Sequence, residues 1–338
     1  MKTKQIVFTK PYTAELLEVD LPELQPDEIL VETAFSAISC GTEKANISNN
    51  PNVGLENREY PFPRYGGYSS AGIVLKSGSD VLDIIPGDRV TMCWSHHKKH
   101  NIISHKDVVK IQDDDISLSD AAFCNIITFP MAAIRKTKVE LGESMLIMGL
   151  GILGLFAVQL AYLSGATPVI AVDPIAERRE KALKFGADYA FDPYDSDFIQ
   201  KVKAVTNGGA NTAIEVTGLG IGLEQCLDCM AKFGRVALLG CTRDKNFSID
   251  YYRKVHGPGI SLIGAHTLAR PQYNSSPGYF TQEEDVKTYL NLLSLKRFNM
   301  KEMVEAVYSP VDCSEIYNQL INNSNFPNVV LFDWSLID

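Results

Sequence analysis

A chain of 338 residues, 45% hydrophobic and 22% charged, has the composition of an ordinary globular protein and the length for two packed domains. Its net charge of −9 argues against nucleic acid as a partner, because that binding relies on clustered cations. No apolar run before Lys10 reaches signal-peptide length and none elsewhere spans a bilayer, so the seven cysteines are expected as free or metal-bound thiols in the cytoplasm.

From Lys4 to about Asp88 the pattern is short strands and turns. Glu28 to Phe35 reads as a strand entered from the turn Pro26-Asp27, Ala71 to Leu75 as a second, and Gly87-Asp88-Arg89-Val90 opens a third. Near Gly142 the rhythm becomes alternating strands and helices. Ser144 to Gly149 is a buried strand, Ile152 to Ser164 a helix, Pro168 to Val172 a strand, and Ala176 to Phe185 a charged helix. The strand Thr212–Val216, the helix Leu223 to Phe233 and strands at Arg235–Leu239 and Ile260–Gly264 continue the alternation. Repeated units of this length predict a parallel, doubly wound sheet. A helix near Glu283 to Leu295 and a strand Asn328 to Phe332 close the chain, the tail returning to the β lobe.

Gly149, Gly151 and Gly154 follow a strand and open a helix, the context a dinucleotide fingerprint needs. The first glycine permits the turn, the second lets the backbone approach a pyrophosphate, and the third lets helix and strand pack closely. Ile152 and Leu153 begin the helix whose free N–H groups would receive the phosphates. Asp173, at the end of the next strand, can bind both ribose hydroxyls of NAD and would repel the extra phosphate of NADP. Arg178 and Arg179 lie close enough to bear on that choice; as residues they read as solvated helix charges, and Arg178 is kept among the expected cofactor-binding residues. The expected cofactor is NAD.

Ahead of this fingerprint stand Cys40-Gly41-Thr42-Glu43, Gly67-Tyr68-Ser69-Ser70-Ala71-Gly72 and Cys124. In order and spacing the whole chain resembles the zinc-type medium-chain dehydrogenase/reductases, the alcohol dehydrogenase superfamily. More narrowly it is similar to the branch with sugar-type, polyol and bacteriochlorophyllide dehydrogenases. The resemblance implies a mixed α/β fold: a GroES-like β-rich catalytic domain over 1–125 with 267–338, a Rossmann domain over 126–266, and a cleft between them. It also implies a homodimer or homotetramer, for which the flat apolar strand Ile260–Gly264 is the candidate edge.

The same resemblance implies one catalytic zinc. Cys40 matches the first ligand and Cys124 the last, but Tyr68 and Ser69 replace the usual histidine and glutamate, and a phenol is a poor zinc ligand. The run Ser95-His96-His97-Lys98-Lys99-His100 offers a substitute, so His97, or His96 if the register slips by one, is expected to restore a Cys2His set. The family's tight run of four cysteines for a structural zinc is missing. Cys226 and Cys229 fit one apolar helix face with Leu223, Leu227 and Met230.

In that frame zinc would lower the pKa of a bound alcohol, and hydride would pass to the nicotinamide. Thr42 matches the position that relays the proton, while Tyr68 is free to bond the substrate or assist proton transfer. Trp94, Asn125, His266 and Arg270 are expected to line the pocket. So many hydrogen-bonding groups favour a hydroxylated small molecule such as a polyol or sugar. Two rivals remain: a zinc-free quinone or enone reductase of the same fold, and a non-catalytic NAD-binding protein.

Overall fold

Alternation of apolar and polar residues along Glu28–Ala37 buries Ile29 and Val31 on one face, and this strand organises the first part of the chain. The computed structural model describes residues 2–50, 60–242 and 246–337. It divides into two compact units, Met1–Ile126 with Val286–Asp338, and Ile127–Asp285. Residues 267–285 thus group with the second unit, where the sequence reading gives them to the first.

In the first unit a seven-stranded sheet runs Ala306–Tyr308, Val330–Asp333, Glu28–Ala37, Ser69–Ser77, Arg89–Cys93 and Val108–Lys110, with His100–Ser104 also paired to Glu28–Ala37. The C-terminal strand Val330–Asp333 lies antiparallel to Glu28–Ala37, Leu331 opposite Ala37. A smaller sheet joins Thr13–Asp20, Lys2–Lys10 and Arg64–Tyr65. Ile6, Phe8, Ile38, Tyr317, Phe332 and Trp334 form one core here, and Ile29, Val31, Val74, Val90 and Met92 another.

The second unit holds a six-stranded sheet in the order Tyr189–Phe191, Val169–Val172, Met145–Met148, Ala210–Glu215, Met230–Leu238, Ser261–Gly264, every neighbouring pair parallel. The strand order reverses beside Met145–Met148, the switch point where doubly wound sheets bind ligands at the carboxyl ends of their strands. Leu146, Met148, Ile170, Val172 and Val236 fill its core, as expected for strands covered on both faces. The fold class is the expected one, a β-rich GroES-like domain with a Rossmann domain.

Two local expectations are corrected. The helix drawn to Phe233 ends sooner, spanning Gly220–Asp228, and Met230 already opens the next strand. The turn-like backbone of Phe233 (φ 62°) before Gly234 shifts the register between Ala210 and Thr212, which lets the apolar Met230 pack from a strand rather than a helix. Cys40, read as part of a strand-rich lobe, begins a helix, Cys40–Ile47.

Candidate functional site

Among the expected site residues, Cys40, Thr42, Tyr68, Trp94, His96, His97, Cys124 and Asn125 lie in the first unit, the others in the second. Tyr68 immediately precedes the strand Ser69–Ser77 and is half-buried. Its hydroxyl donates to Ser39 Oγ. Its carbonyl accepts from Trp94 N–H at 2.8 Å and Asn125 Nδ2 at 2.7 Å, so both ends of the residue are held. Trp94 adopts a left-handed backbone (φ 61°), is 39% exposed as a residue, and sets its ring 6.0 Å from the Tyr68 ring. Tyr68 and Trp94 are therefore brought together beside an accessible face. Asn125 is fully buried, its backbone N–H 3.0 Å from Ser69 Oγ, and it braces Tyr68 instead of lining an open pocket. Thr42, half-buried in the first turn of Cys40–Ile47, accepts from Asn46 Nδ2 through its carbonyl at 3.2 Å.

The expected metal set does not assemble. His97 sits in a loop and is fully buried, with Nδ1 2.7 Å from Ser36 Oγ and Nε2 3.1 Å and 3.2 Å from the two Glu43 oxygens. Its neighbour His96 is exposed and packs its ring 5.5 Å from Tyr65. Cys40 Sγ lies 3.6 Å from the carbonyl oxygens of both Pro327 and Asn328. Cys124 is fully buried, its Sγ 3.5 Å from Met92 O and 3.7 Å from Ser69 Oγ. Burial pushes the Cys124 thiol up, but hydrogen bonds with Cys93, Ser69 and Thr91 outweigh it and leave it below the ordinary value. No group of three or more His, Cys, Asp or Glu side chains among the described residues is placed to hold a metal. Zinc on Cys40, His97 and Cys124 thus does not fit these surroundings.

Cys226 and Cys229 are fully buried in the core of the second unit, where burial pushes Cys229 up to about 12. They pack as apolar groups, as the helical spacing indicates.

Glu43, expected from the sequence to form a structural ion pair rather than act as a base, faces the buried His97. Its carboxylate accepts from Ser39 N–H at 2.8 Å and from the Tyr317 hydroxyl, besides facing His97. Burial works to raise this carboxyl, and the charge and hydrogen bond of His97, with the bonds from Tyr317 and Ser39, hold it below the usual range. Ser39 and Tyr317 could have been found only from the fold.

The second unit places its residues as a dinucleotide requires. Gly149 has φ 103°, a backbone open to glycine and strained for other residues. A Cβ on Gly154 would lie 1.9 Å from Gly149 O, whereas Gly151 has nothing within 4 Å. The helix Ile152–Leu163 starts at Gly151 without a side-chain cap, leaving its first N–H groups at Ile152 and Leu153 for phosphate oxygens. Asp173 Oδ2 accepts from Leu150 N–H at 2.8 Å and Oδ1 from Ile175 N–H at 2.9 Å. Each oxygen has a second lone pair, on a side chain only 5% exposed in the chain alone. Arg178 reaches to 3.6 Å of Asp173, and Arg179 donates to the Asp173 carbonyl and to Asp192. These residues fit a nicotinamide dinucleotide.

His266 and Arg270 differ in their outcome. His266 is half-buried and accepts from Leu268 N–H through Nδ1 at 3.2 Å; burial, with Lys136 nearby, lowers its pKa. Arg270, expected in the pocket, is instead engaged internally. Its Nε donates to Thr267 O at 2.9 Å, Nη2 to Thr128 O at 3.1 Å, and Nη1 lies 3.4 Å from the buried Asp285.

Comparison with known proteins agrees with the fold. A family model described as zinc-binding dehydrogenase matches residues 153–276. The chain is 30% identical over 298 residues to L-threonine 3-dehydrogenase of Pyrococcus abyssi, covering 78% of this chain and 82% of that protein. It is 25% identical to D-guloside 3-dehydrogenase of Shigella flexneri over 94% of this chain and 96% of the relative. Galactitol-1-phosphate dehydrogenase of Escherichia coli shares the fold, with a TM-score of 0.83 and 21% identity over 98% and 99% of the two chains. The chain belongs to the zinc-type alcohol dehydrogenase family of medium-chain dehydrogenases.

Proposed function

We propose that the protein is an NAD-dependent dehydrogenase that transfers hydride between nicotinamide and the carbinol or carbonyl carbon of a hydroxylated small molecule, polyol-like or sugar-like. The observation that carries the reading is the Gly149–Gly154 turn tied to Asp173 through Leu150 N–H. When bound, NAD supplies the hydride acceptor. Asp173 contributes a carboxylate, which favours paired ribose hydroxyls over a phosphate.

The substrate class follows from the first unit. The Tyr68 hydroxyl, now donating to Ser39 Oγ, can turn to a substrate oxygen, and Ser39 then offers a second hydroxyl to the same group. The exposed residue Trp94 gives an apolar surface beside them for the C–H face of a hydroxylated carbon chain. A hydroxyl-bearing substrate replaces the Tyr68–Ser39 bond with bonds of its own, which a substrate without hydroxyls does not. Relatives named for L-threonine and for a guloside, both hydroxyl-bearing molecules, support the same class. No step is derived through a metal.

A screen of polyols, sugars and hydroxy amino acids with NAD, and of enones and quinones with NADH, tests the reading. Alcohol-dependent reduction of NAD is the expected result. Turnover of enones alone would replace it with the reductase reading, and NADH binding without any turnover would make the protein a binding module.

A further inference from the structure

His97 is part of a closed cluster, and that closure bears on the metal its family is named for. Ser36 Oγ receives Trp334 Nε1–H at 2.8 Å and meets His97 Nδ1 on its other side. The opposite ring nitrogen meets Glu43, which also takes the Ser39 N–H and the Tyr317 hydroxyl. Neither ring nitrogen has a lone pair directed at empty space. The faces are enclosed as well: Phe332 stands edge-on at 5.1 Å, and a Cβ built on Gly67 would lie 3.0 Å from His97 Cγ.

Zinc needs an imidazole nitrogen at about 2.0–2.1 Å and thiolates at about 2.3 Å in a tetrahedral arrangement. Turning His97 to a metal would take from Glu43 or Ser36 the bond to His97 in a site where neither meets solvent, and a buried bond lost without replacement is costly. The thiols offer no counter-attraction. Cys40 packs with Ile38, Tyr317 and Phe326, whereas Cys124 is enclosed by Ser69, Ser70 and Met92. We infer that this chain holds no zinc on Cys40, His97 and Cys124, and that His97 instead locks Glu43, Ser36 and Trp334 into one buried framework. Without that metal, the hydroxyls of Tyr68 and Ser39 remain to hydrogen-bond the alcohol oxygen, a consequence that rests on the function proposed above.

The experiment is metal analysis of untagged protein from zinc-supplemented cells, with no turnover needed. The expected zinc content is far below one equivalent, and added cobalt(II) gives no thiolate-to-cobalt absorption band. Added zinc leaves the melting temperature unchanged, since only a ligand that binds the folded state raises it. His97→Ala lowers the melting temperature without altering metal content. One equivalent of zinc that disappears in Cys40→Ser or Cys124→Ser, or a cobalt–thiolate band that those variants abolish, would overturn the inference. Absence of both zinc and dehydrogenase activity would uphold it and remove the proposed function instead.

Discussion

His97 Nε2 lies 3.1 Å from Glu43 Oε2, and the two side chains are 0% and 1% exposed. A carboxylate so placed contributes to stability through its charge. Because its pKa is lowered in the fold, that contribution is fully present above the unfolded carboxyl value of about 4.3 and is lost as pH falls through the lower folded value. Glu43→Gln is expected to cost about 1–3 kcal/mol at pH 7, because one amide oxygen replaces the two carboxylate acceptors that serve Ser39, Tyr317 and His97. Urea unfolding should show the gap between variant and parent narrowing below about pH 4.3. A gap that stays constant into acid would show that the charge contributes nothing.

Tyr68→Phe keeps the ring beside Trp94 and removes the hydroxyl that donates to Ser39. Catalytic efficiency toward the best alcohol should fall by about 1–3 kcal/mol, with the melting temperature little changed. Steady-state kinetics read the effect. An unchanged kcat/KM would place the substrate away from this residue.

Asp173→Asn removes the charge and leaves one acceptor oxygen for two backbone donors, Leu150 N–H and Ile175 N–H. NADH affinity should weaken by about 1.5–3 kcal/mol, and the preference for NAD over NADP should shrink because repulsion of the extra phosphate is gone. Fluorescence titration with NADH and NADPH measures both. A parent enzyme with a lower KM for NADP would point to Arg178, 3.6 Å from Asp173, as the selecting residue.

Gly154→Ala puts a methyl group where 1.9 Å separates it from Gly149 O. The turn has to open, so NADH binding should be lost while circular dichroism remains that of a folded protein. Retained binding would mean that the dinucleotide does not use this turn.

The strand Ser261–Gly264 ends the six-stranded sheet, bonded on one side to Met230–Leu238, with Ser261, Leu262 and Gly264 exposed. An open strand edge of this kind is a template for pairing, and a second copy across a two-fold axis satisfies it. Light scattering at micromolar concentration should give two or four times the 37.3 kDa chain mass. A single-chain mass would refute the expected oligomer.

Local chemistry determined much of this protein without help from the fold. Alternation in Glu28–Ala37, apolar runs such as Met145–Met148, and the spacing of Gly149, Gly151 and Gly154 each encode an element through near neighbours, so the β lobe, the parallel sheet and the dinucleotide turn were legible in the sequence. Asp173 was legible for the same reason, being placed by the end of its own strand. The partners of individual polar side chains were not. Adjacent histidines look equivalent in sequence, yet His97 meets Glu43 across 54 residues and Glu43 meets Tyr317 across 274. Cys40 and Cys124 match the ligand positions that the family resemblance implies, but each thiol is claimed by backbone carbonyls that only chain folding brings near. Arg270 likewise faces Asp285 and Thr128 rather than a pocket. Periodicity records which face of an element is buried, whereas a buried polar group must find a matching donor or acceptor, and only the tertiary structure decides which one it meets.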